Sequence, residues 1–362
     1  MERKLRRCYW LLFFLLLSAI AWEGKNVWNM QKKTDFVSAD SRAVAGRKDG
    51  GEMVYASGHP VGIYIKTEGV LVLGTQPVKA GHGKEESPAK NKLKSGDYIL
   101  AVDETPVNAK KQFLSLVQKK EGEEMTLTIL RGGERQKIKI KPAYSEENQC
   151  YQIGAWIRND TQGIGTVTYV KENGEFAALG HGINDCDLGV HMMISGGSIY
   201  QTDIASIMKG EKKNPGEIIG TIDYTRENYL GDIGKNTICG VFGNLEKRRE
   251  EYLHGEQMEV AKGKEIKTGN AWLRTSISGE SKDYAIEIEK ICLNKKEPQK
   301  ALKIKVTDPS LIALTGGIIQ GLSGSPIIQN NRLVGAVTHV FVDSPIMGYG
   351  ICAETMMEES QG

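Results

Sequence analysis

The sequence has almost no net charge, no CxxC pair, no repeat at a fixed period and no apolar run long enough to span a bilayer as a helix. Each absence removes a class of function. Lysine and arginine total 47 against 45 aspartates and glutamates. The small excess is local, since Arg3, Lys4, Arg6 and Arg7 against Glu2 give residues 1–7 a net of +3 and leave −1 for the rest. A body this close to neutral lacks the electrostatic footprint of a nucleic-acid binder. The six cysteines are Cys8, Cys150, Cys186, Cys239, Cys292 and Cys352, and setting aside Cys8 in the N-terminal apolar stretch leaves an odd number. Neither a disulfide framework nor a zinc knuckle is signalled, and most of these thiols are expected to be buried small apolar groups. The uncharged run Tyr9–Trp22 would reach only ~21 Å as a helix, short of the ~30 Å hydrocarbon core.

Glycine is what the chain has in surplus. It supplies 42 of 362 residues, about 12% against a typical ~7%, with no collagen period. Many tight turns, hence many short strands, follow. Apolar content of 40% with 25% charged residues is that of a globular chain, not a disordered one. At roughly 150 residues per domain the length suggests about two domains. The expected fold class is mainly β.

The four cations, the apolar run and the small residues Ala19 and Ala21 have the layout of a secretory signal. Trp22 and Trp28 could instead sit at the interface and make residues 1–28 an uncleaved anchor, and either way the positive-inside bias leaves the bulk of the chain outside the cytosol. Residues 29–52 are polar, mixed in charge and without an apolar period, which reads as an exposed linker open to proteolysis.

Residues 53–143 form a module of short strands with one helical segment, Lys110–Lys119, that carries Phe113, Leu114 and Val117 at helical spacing. Its stretch from Ser87-Pro88-Ala89 through Leu93-Lys94-Ser95-Gly96-Asp97-Tyr98-Ile99-Leu100-Ala101-Val102-Asp103 resembles a PDZ domain. Such domains add an extended peptide to a sheet edge and capture its terminal carboxylate on backbone amides. The resemblance implies that Val61, Gly62, Ile63 and Tyr64 form the carboxylate-binding loop, with Gly62 allowing close backbone approach.

Residues 144–362 suit one large β domain. Expected strands are Ile164–Val170, Phe176–Leu179, Thr237–Phe242, Ala271–Ile277, Tyr284–Ile291, Ala301–Val306, Pro326–Gln329 and Leu333–Phe341, with little helix. The segment Gly321-Leu322-Ser323-Gly324-Ser325-Pro326 is the most informative. Two glycines around a serine permit a tight turn that exposes the hydroxyl and converges backbone N–H groups, as an oxyanion hole requires. With the strands that follow, it resembles the nucleophile segment of chymotrypsin-like serine proteases, although Leu322 stands where those enzymes usually carry Asp. The expected oxyanion amides are those of Gly321 and Ser323.

A serine nucleophile needs a base within hydrogen-bond reach. His59 and His82 fall in the PDZ-like module, His254 in a charged loop, and His339 on the strand after the serine, facing a pocket wall or solvent. Of the remaining His181 and His191, the former ends an apolar strand in Gly-His-Gly, which lets the ring stand in an open cleft, and is the favoured base. His181, Asp185 and His191 together invite a metal-hydrolase reading, but their spacing matches no HExxH or CxxC signature, and no metal or other cofactor is expected. For the acid that orients the imidazole, Asp203, Asp223, Asp232 and Asp308 all qualify on chemistry. Asp308 differs only in setting, in Thr307-Asp308-Pro309 shortly before the serine.

The sum of an apolar N-terminus, a PDZ-like module, Ala178–Ile183 (ALGHGI), Thr307–Pro309 (TDP) and the Thr315–Val342 stretch resembles the stage IV sporulation protein B family, the self-cleaving serine peptidases of endospore-forming bacteria. The resemblance implies a triad of His181, Asp308 and Ser323 and a chymotrypsin-like double β-barrel. It also implies membrane anchoring before self-release, export across the inner forespore membrane into the intermembrane space, and PDZ-mediated self-recognition. The implied partner is a membrane-bound regulator of an intramembrane metalloprotease that processes the late mother-cell sigma factor. A non-catalytic PDZ adaptor with a degenerate peptidase domain is the competing expectation.

Overall fold

A computed structural model describes residues 51–80, 84–253 and 255–361. The expected signal-anchor and nearly all of the expected linker, as well as His82 and His254, lie outside them. Among the described residues no helix is long and apolar enough to cross a membrane.

Two closed six-stranded antiparallel barrels dominate. The first joins Pro60–Thr75, Ala155–Val170, Glu175–Ala178, Gly240–Leu245, Tyr229–Thr237 and Ile194–Met208, and returns to Pro60–Thr75. The second closes Gly269–Thr275, Lys282–Ile291, Leu302–Val306, Ser344–Cys352, Arg332–Phe341 and Pro326–Gln329. Closure leaves no open sheet edge, which suits short strands with one buried face. Alternation sets the inward faces: Val61, Ile63, Ile65, Val167, Phe176, Ala178 and Val241 fill the first barrel, and Leu273, Ile286, Ile288, Ile304, Val334 and Val337 the second.

The PDZ-like part is an excursion out of the first barrel. Pro60–Thr75 and Ala155–Val170 are each 16 residues long and pair with each other from Pro60↔Thr166 to Thr75↔Ala155. Their far ends join Tyr98–Val102, Met125–Arg131 and Glu134–Ile140, covered by the helix Lys110–Gln118 through Phe113 and Val117. Residues 53–67 therefore belong with the first barrel, and the expected boundary of 53–143 moves.

The same pairing corrects the expected carboxylate loop. Val61, Gly62, Ile63 and Tyr64 are ladder residues, flanked by Gly165, Ile164, Gly163 and Gln162 on one side and by Gln201, Tyr200, Ile199 and Ser198 on the other. Their amides are committed to neighbours and cannot receive a peptide carboxylate. Gly62 is small for another reason: a Cβ there would come within 2.6 Å of the Ile222 side chain.

Other expectations shift locally. The apolar run Ile238-Cys239 is the turn between Tyr229–Thr237 and Gly240–Leu245, with Ile238 exposed, so Thr237–Phe242 is not one strand. The five described cysteines are all free; Cys239 and Cys352 are buried, Cys150 half-buried, and Cys186 and Cys292 exposed. Burial of most of them is thus not what the fold does.

Candidate active site

The nucleophile turn is locked to both barrels. Thr166, fully buried on the first barrel, accepts nothing from Ser323 but donates its N–H to the Ser323 carbonyl at 3.0 Å and its hydroxyl to the Gly321 carbonyl at 2.7 Å. Thr168, equally buried, donates to the Gly324 carbonyl at 2.8 Å. Within the turn Gly324 N–H reaches Val337 O at 2.7 Å and Ser325 N–H reaches Leu322 O at 2.9 Å. Gly324 has φ +96°, and a Cβ there would lie 2.0 Å from the Thr166 carbonyl. Only glycine lets the two barrels meet so closely at this point.

Among the described residues, the Gly321 and Ser323 amides have no hydrogen-bond acceptor, whereas those of Leu322, Gly324 and Ser325 are each bound. Two unengaged N–H groups beside an exposed hydroxyl are what stabilisation of an oxyanion needs. The Ser323 hydroxyl itself donates to the Thr338 carbonyl at 3.0 Å.

His181 stands across the same cleft. The strand Glu175–Ala178 ends in Leu179 and Gly180, both at φ +69°, and this left-handed pair turns the chain just before His181, which lines the same cleft as Ser323. A positive φ at a leucine is a strained conformation that persists only where surrounding structure imposes it. His181 Nδ1 donates to the Gly182 carbonyl at 2.9 Å. A carbonyl can only accept, so in the neutral ring Nδ1 holds the proton and Nε2 carries the lone pair. Burial pushes the His181 pKa below its ordinary value, partly offset by the Gly182 bond.

The cleft has a volume of about 490 Å³ and is lined by His181, Ser323, Gly321, Gln320, Gln162 and His339, among others. His339 is thus a wall residue, its ring centroid 5.1 Å from that of His181. Burial, then the neighbouring His181 and Lys300, bring the His339 pKa down to about 4.

Asp308 is not part of this cleft, which corrects the expected triad. It is the N-cap of the helix Pro309–Thr315: Oδ1 accepts from the amides of Ser310 at 2.8 Å and Leu311 at 3.2 Å, and Oδ2 from Ala285 N–H at 3.3 Å. Burial raises its pKa, but the bonds from Ser310, Leu311 and Ala285 outweigh that and hold it below the usual carboxylate value. An aspartate followed by proline is a helix-start signal, and that chemistry occupies its oxygens. Asp308→Ala is accordingly expected to cost about 0.5–2 kcal/mol of stability. Activity should change by less than about tenfold, against roughly 10⁴-fold for a triad acid. Chemical denaturation together with turnover of a reporter peptide measures both.

The alternative metal ligands are also committed elsewhere. Asp185, buried, pairs with Arg158 and accepts from the amides of Asp187 and Leu188, while His191 Nε2 donates to the Asn236 carbonyl at 3.0 Å. Among the described residues no three His, Cys, Asp or Glu side chains gather to hold a metal ion. Sequence reading missed Thr166, Thr168 and Asn236, whose roles rest on hydrogen bonds to distant segments that no local pattern encodes.

Comparison with known proteins follows the same division. The family model described as SpoIVB peptidase S55 matches residues 149–357, and that of the PDZ domain matches residues 71–141. No curated protein matches. Among solved structures, the PDZ domain of an SdrC-like protein from Listeria monocytogenes is 21% identical, covering 26% of this chain and 90% of its own, with a TM-score of 0.21. The HtrA-type protease AlgW bound to a decapeptide is 11% identical over 85% of this chain and 64% of its own, with a TM-score of 0.34. The Rv3671c protease in its inactive form is 13% identical over 54% of this chain and 81% of its own, with a TM-score of 0.31.

Proposed function

We infer the function from one premise: the chain belongs to the SpoIVB peptidase S55 family. It is a serine peptidase with a PDZ domain. In our reading Ser323 is the nucleophile and His181 the general base, and the observation that carries this is their placement in one cleft with the unengaged amides of Gly321 and Ser323.

The chemistry is acyl transfer. The Ser323 hydroxyl turns from the Thr338 carbonyl toward His181, gives its proton to Nε2, and Oγ bonds to the peptide carbonyl carbon. Charge developing on the carbonyl oxygen is met by the amides of Gly321 and Ser323. Nε2–H then protonates the leaving amine as the C–N bond breaks, and water hydrolyses the acyl-enzyme by the same proton path. The Gly182 carbonyl holds Nδ1–H throughout, a position where related mechanisms place a carboxylate.

Because His181 must be neutral to act, its lowered pKa extends activity toward acid. The groups beside it are the ring of His339, which itself feels the charge of Lys300, and the Gly182 carbonyl. The acid limb of kcat/KM is expected below the ordinary histidine value of about 6.5. A pH–rate profile reads it directly, and a limb above that value would contradict the assignment.

The family resemblance extends the reading to substrate. We propose that the peptidase, anchored by residues 1–28 and exported to the forespore intermembrane space, cleaves itself within residues 29–52. It then cleaves a membrane-bound regulator of an intramembrane protease that processes the pro-form of the late mother-cell sigma factor. The PDZ domain would serve recognition of the chain itself and of that target. Purified wild type beside Ser323→Ala, followed over time by mass spectrometry, tests the first step. Fragments ending in residues 29–52 should accumulate only in the wild type, and equal fragmentation in both would refute self-cleavage.

A further inference from the structure

We propose that Asn236 is the positioning residue of the catalytic base: by clamping the loop from Gly182 to Met193 it sets the Gly182 carbonyl against Nδ1 of His181. This rests on the serine-peptidase reading above and names the part of the fold that replaces a triad acid.

Asn236 is the penultimate residue of the strand Tyr229–Thr237. Its Oδ1 accepts from Ile183 N–H at 2.8 Å, and its Nδ2 donates to the Ile183 carbonyl at 3.0 Å and the Met192 carbonyl at 2.9 Å. One side chain therefore grips both ends of the loop, and three of its four hydrogen-bonding positions are used. Its main chain adds a fourth hold, because the Asn236 carbonyl accepts from His191 Nε2. That fixes the His191 ring against Gly182, where a Cβ would come within 2.6 Å of the ring and 2.5 Å of the Thr237 carbonyl. Gly182 is thus pinned from two sides, immediately beside the residue whose amide and carbonyl Asn236 binds.

Within the loop the Ile183 carbonyl also accepts from Met192 N–H at 3.1 Å, while the anchors from outside the loop hold different parts of it. Arg158 binds Asp185 and Asp187 near the tip, and the Tyr98 hydroxyl accepts from Met193 N–H at 3.0 Å at the exit. None of these touches Gly182 or Ile183. Losing the Asn236 side chain should therefore leave the loop attached, through these anchors and the main-chain bond from His191, while loosening the one carbonyl that dictates the tautomer of His181. A base whose Nδ1 is not held spends part of its time with the proton on Nε2, where it cannot accept from serine.

The test uses the full chain with ¹⁵N-labelled histidine. In wild type near neutral pH, the His181 ring, assigned by its loss in His181→Gln, is expected in the Nδ1–H tautomer. In Asn236→Ala it should become a mixture, while Tyr98→Phe, which releases only the exit anchor, keeps the wild-type signal. In kinetics Asn236→Ala should lower kcat by about two- to tenfold, in proportion to the Nδ1–H fraction that the spectrum loses, with KM within about threefold, far short of the ~10⁴-fold loss seen when a triad base is left wholly in the wrong tautomer. A wild-type ring in the Nε2–H form overturns the proposal even if the alanine variant does not fold. So does an Asn236→Ala protein with unchanged tautomer and kcat. The ring spectrum does not depend on turnover, so it separates this proposal from the peptidase reading, whose own failure would appear as a wild-type Ser323 inert to a serine-reactive phosphonate.

Discussion

Ser323→Ala is expected to lower kcat for peptide hydrolysis by roughly 10⁶-fold, to the level that binding and an oxyanion site alone sustain. The expectation follows from how little else the hydroxyl does. Its one hydrogen bond is to the Thr338 carbonyl at the cleft wall, so its removal costs on the order of 1 kcal/mol of stability. The turn that carries it is held by other groups: the Thr166 and Thr168 hydroxyls, the Thr166 and Gly324 amides, and the close approach at Gly324. The variant should fold, keep its KM within a few-fold and lose turnover. Stopped assays with a fluorogenic peptide, alongside the urea midpoint, separate these quantities. A fall of less than tenfold in a folded variant would remove Ser323 from the chemistry.

His181→Ala should be nearly as severe, and the two losses should not add. A serine hydroxyl without a base is a poor nucleophile, and a base without the hydroxyl has no proton to accept, so the pair acts as one unit. The double variant is expected within about tenfold of either single variant. His339 will not substitute. Its ring lies 5.1 Å from that of His181, yet nothing among the described residues fixes its Nδ1 proton, and its pKa of about 4 makes it a weak base at neutral pH. Measuring the two single variants and the double variant with one substrate gives the coupling. Full additivity would mean that His181 and Ser323 work independently, which the proposed mechanism does not allow.

How far the sequence led differs from residue to residue. The hairpin of Pro326–Gln329 and Arg332–Phe341 is readable because two nearly continuous apolar runs flank Asn330-Asn331, which both take positive φ, as a tight hairpin turn demands. Ser323 and His181 were readable for a related reason: glycines mark the sharp turns that present them. The PDZ boundary was not. The strand Pro60–Thr75 leaves the barrel and enters the PDZ part without a break, and its glycines at 62 and 69 look like strand ends when only local pattern is seen. The hairpin of Ile194–Met208 and Glu217–Ile222 is not legible in the sequence because much of it is half-exposed, which blurs the period-two signal.

Asp308 shows a different limit. Thr-Asp-Pro is equally a helix start and a plausible setting for a catalytic acid, and only the positions of Ala285, Ser310 and Leu311 decide between them. Asn236 shows the converse. It lies 53 residues from Ile183 and 44 from Met192 in the chain, so no spacing rule connects it with the loop it holds. Local chemistry announces nucleophiles and turns, while the groups that aim them are found only where distant strands have been brought together.

The claim that Ser323 is an activated nucleophile in the cleft with His181 is tested most directly by intact-mass spectrometry after reaction with a peptidyl phosphonate. One covalent adduct per chain, mapped to Ser323, lost in Ser323→Ala and strongly slowed in His181→Ala, is the predicted result. A folded wild-type protein that takes up no label, or labels equally when Ser323 is alanine, would contradict it.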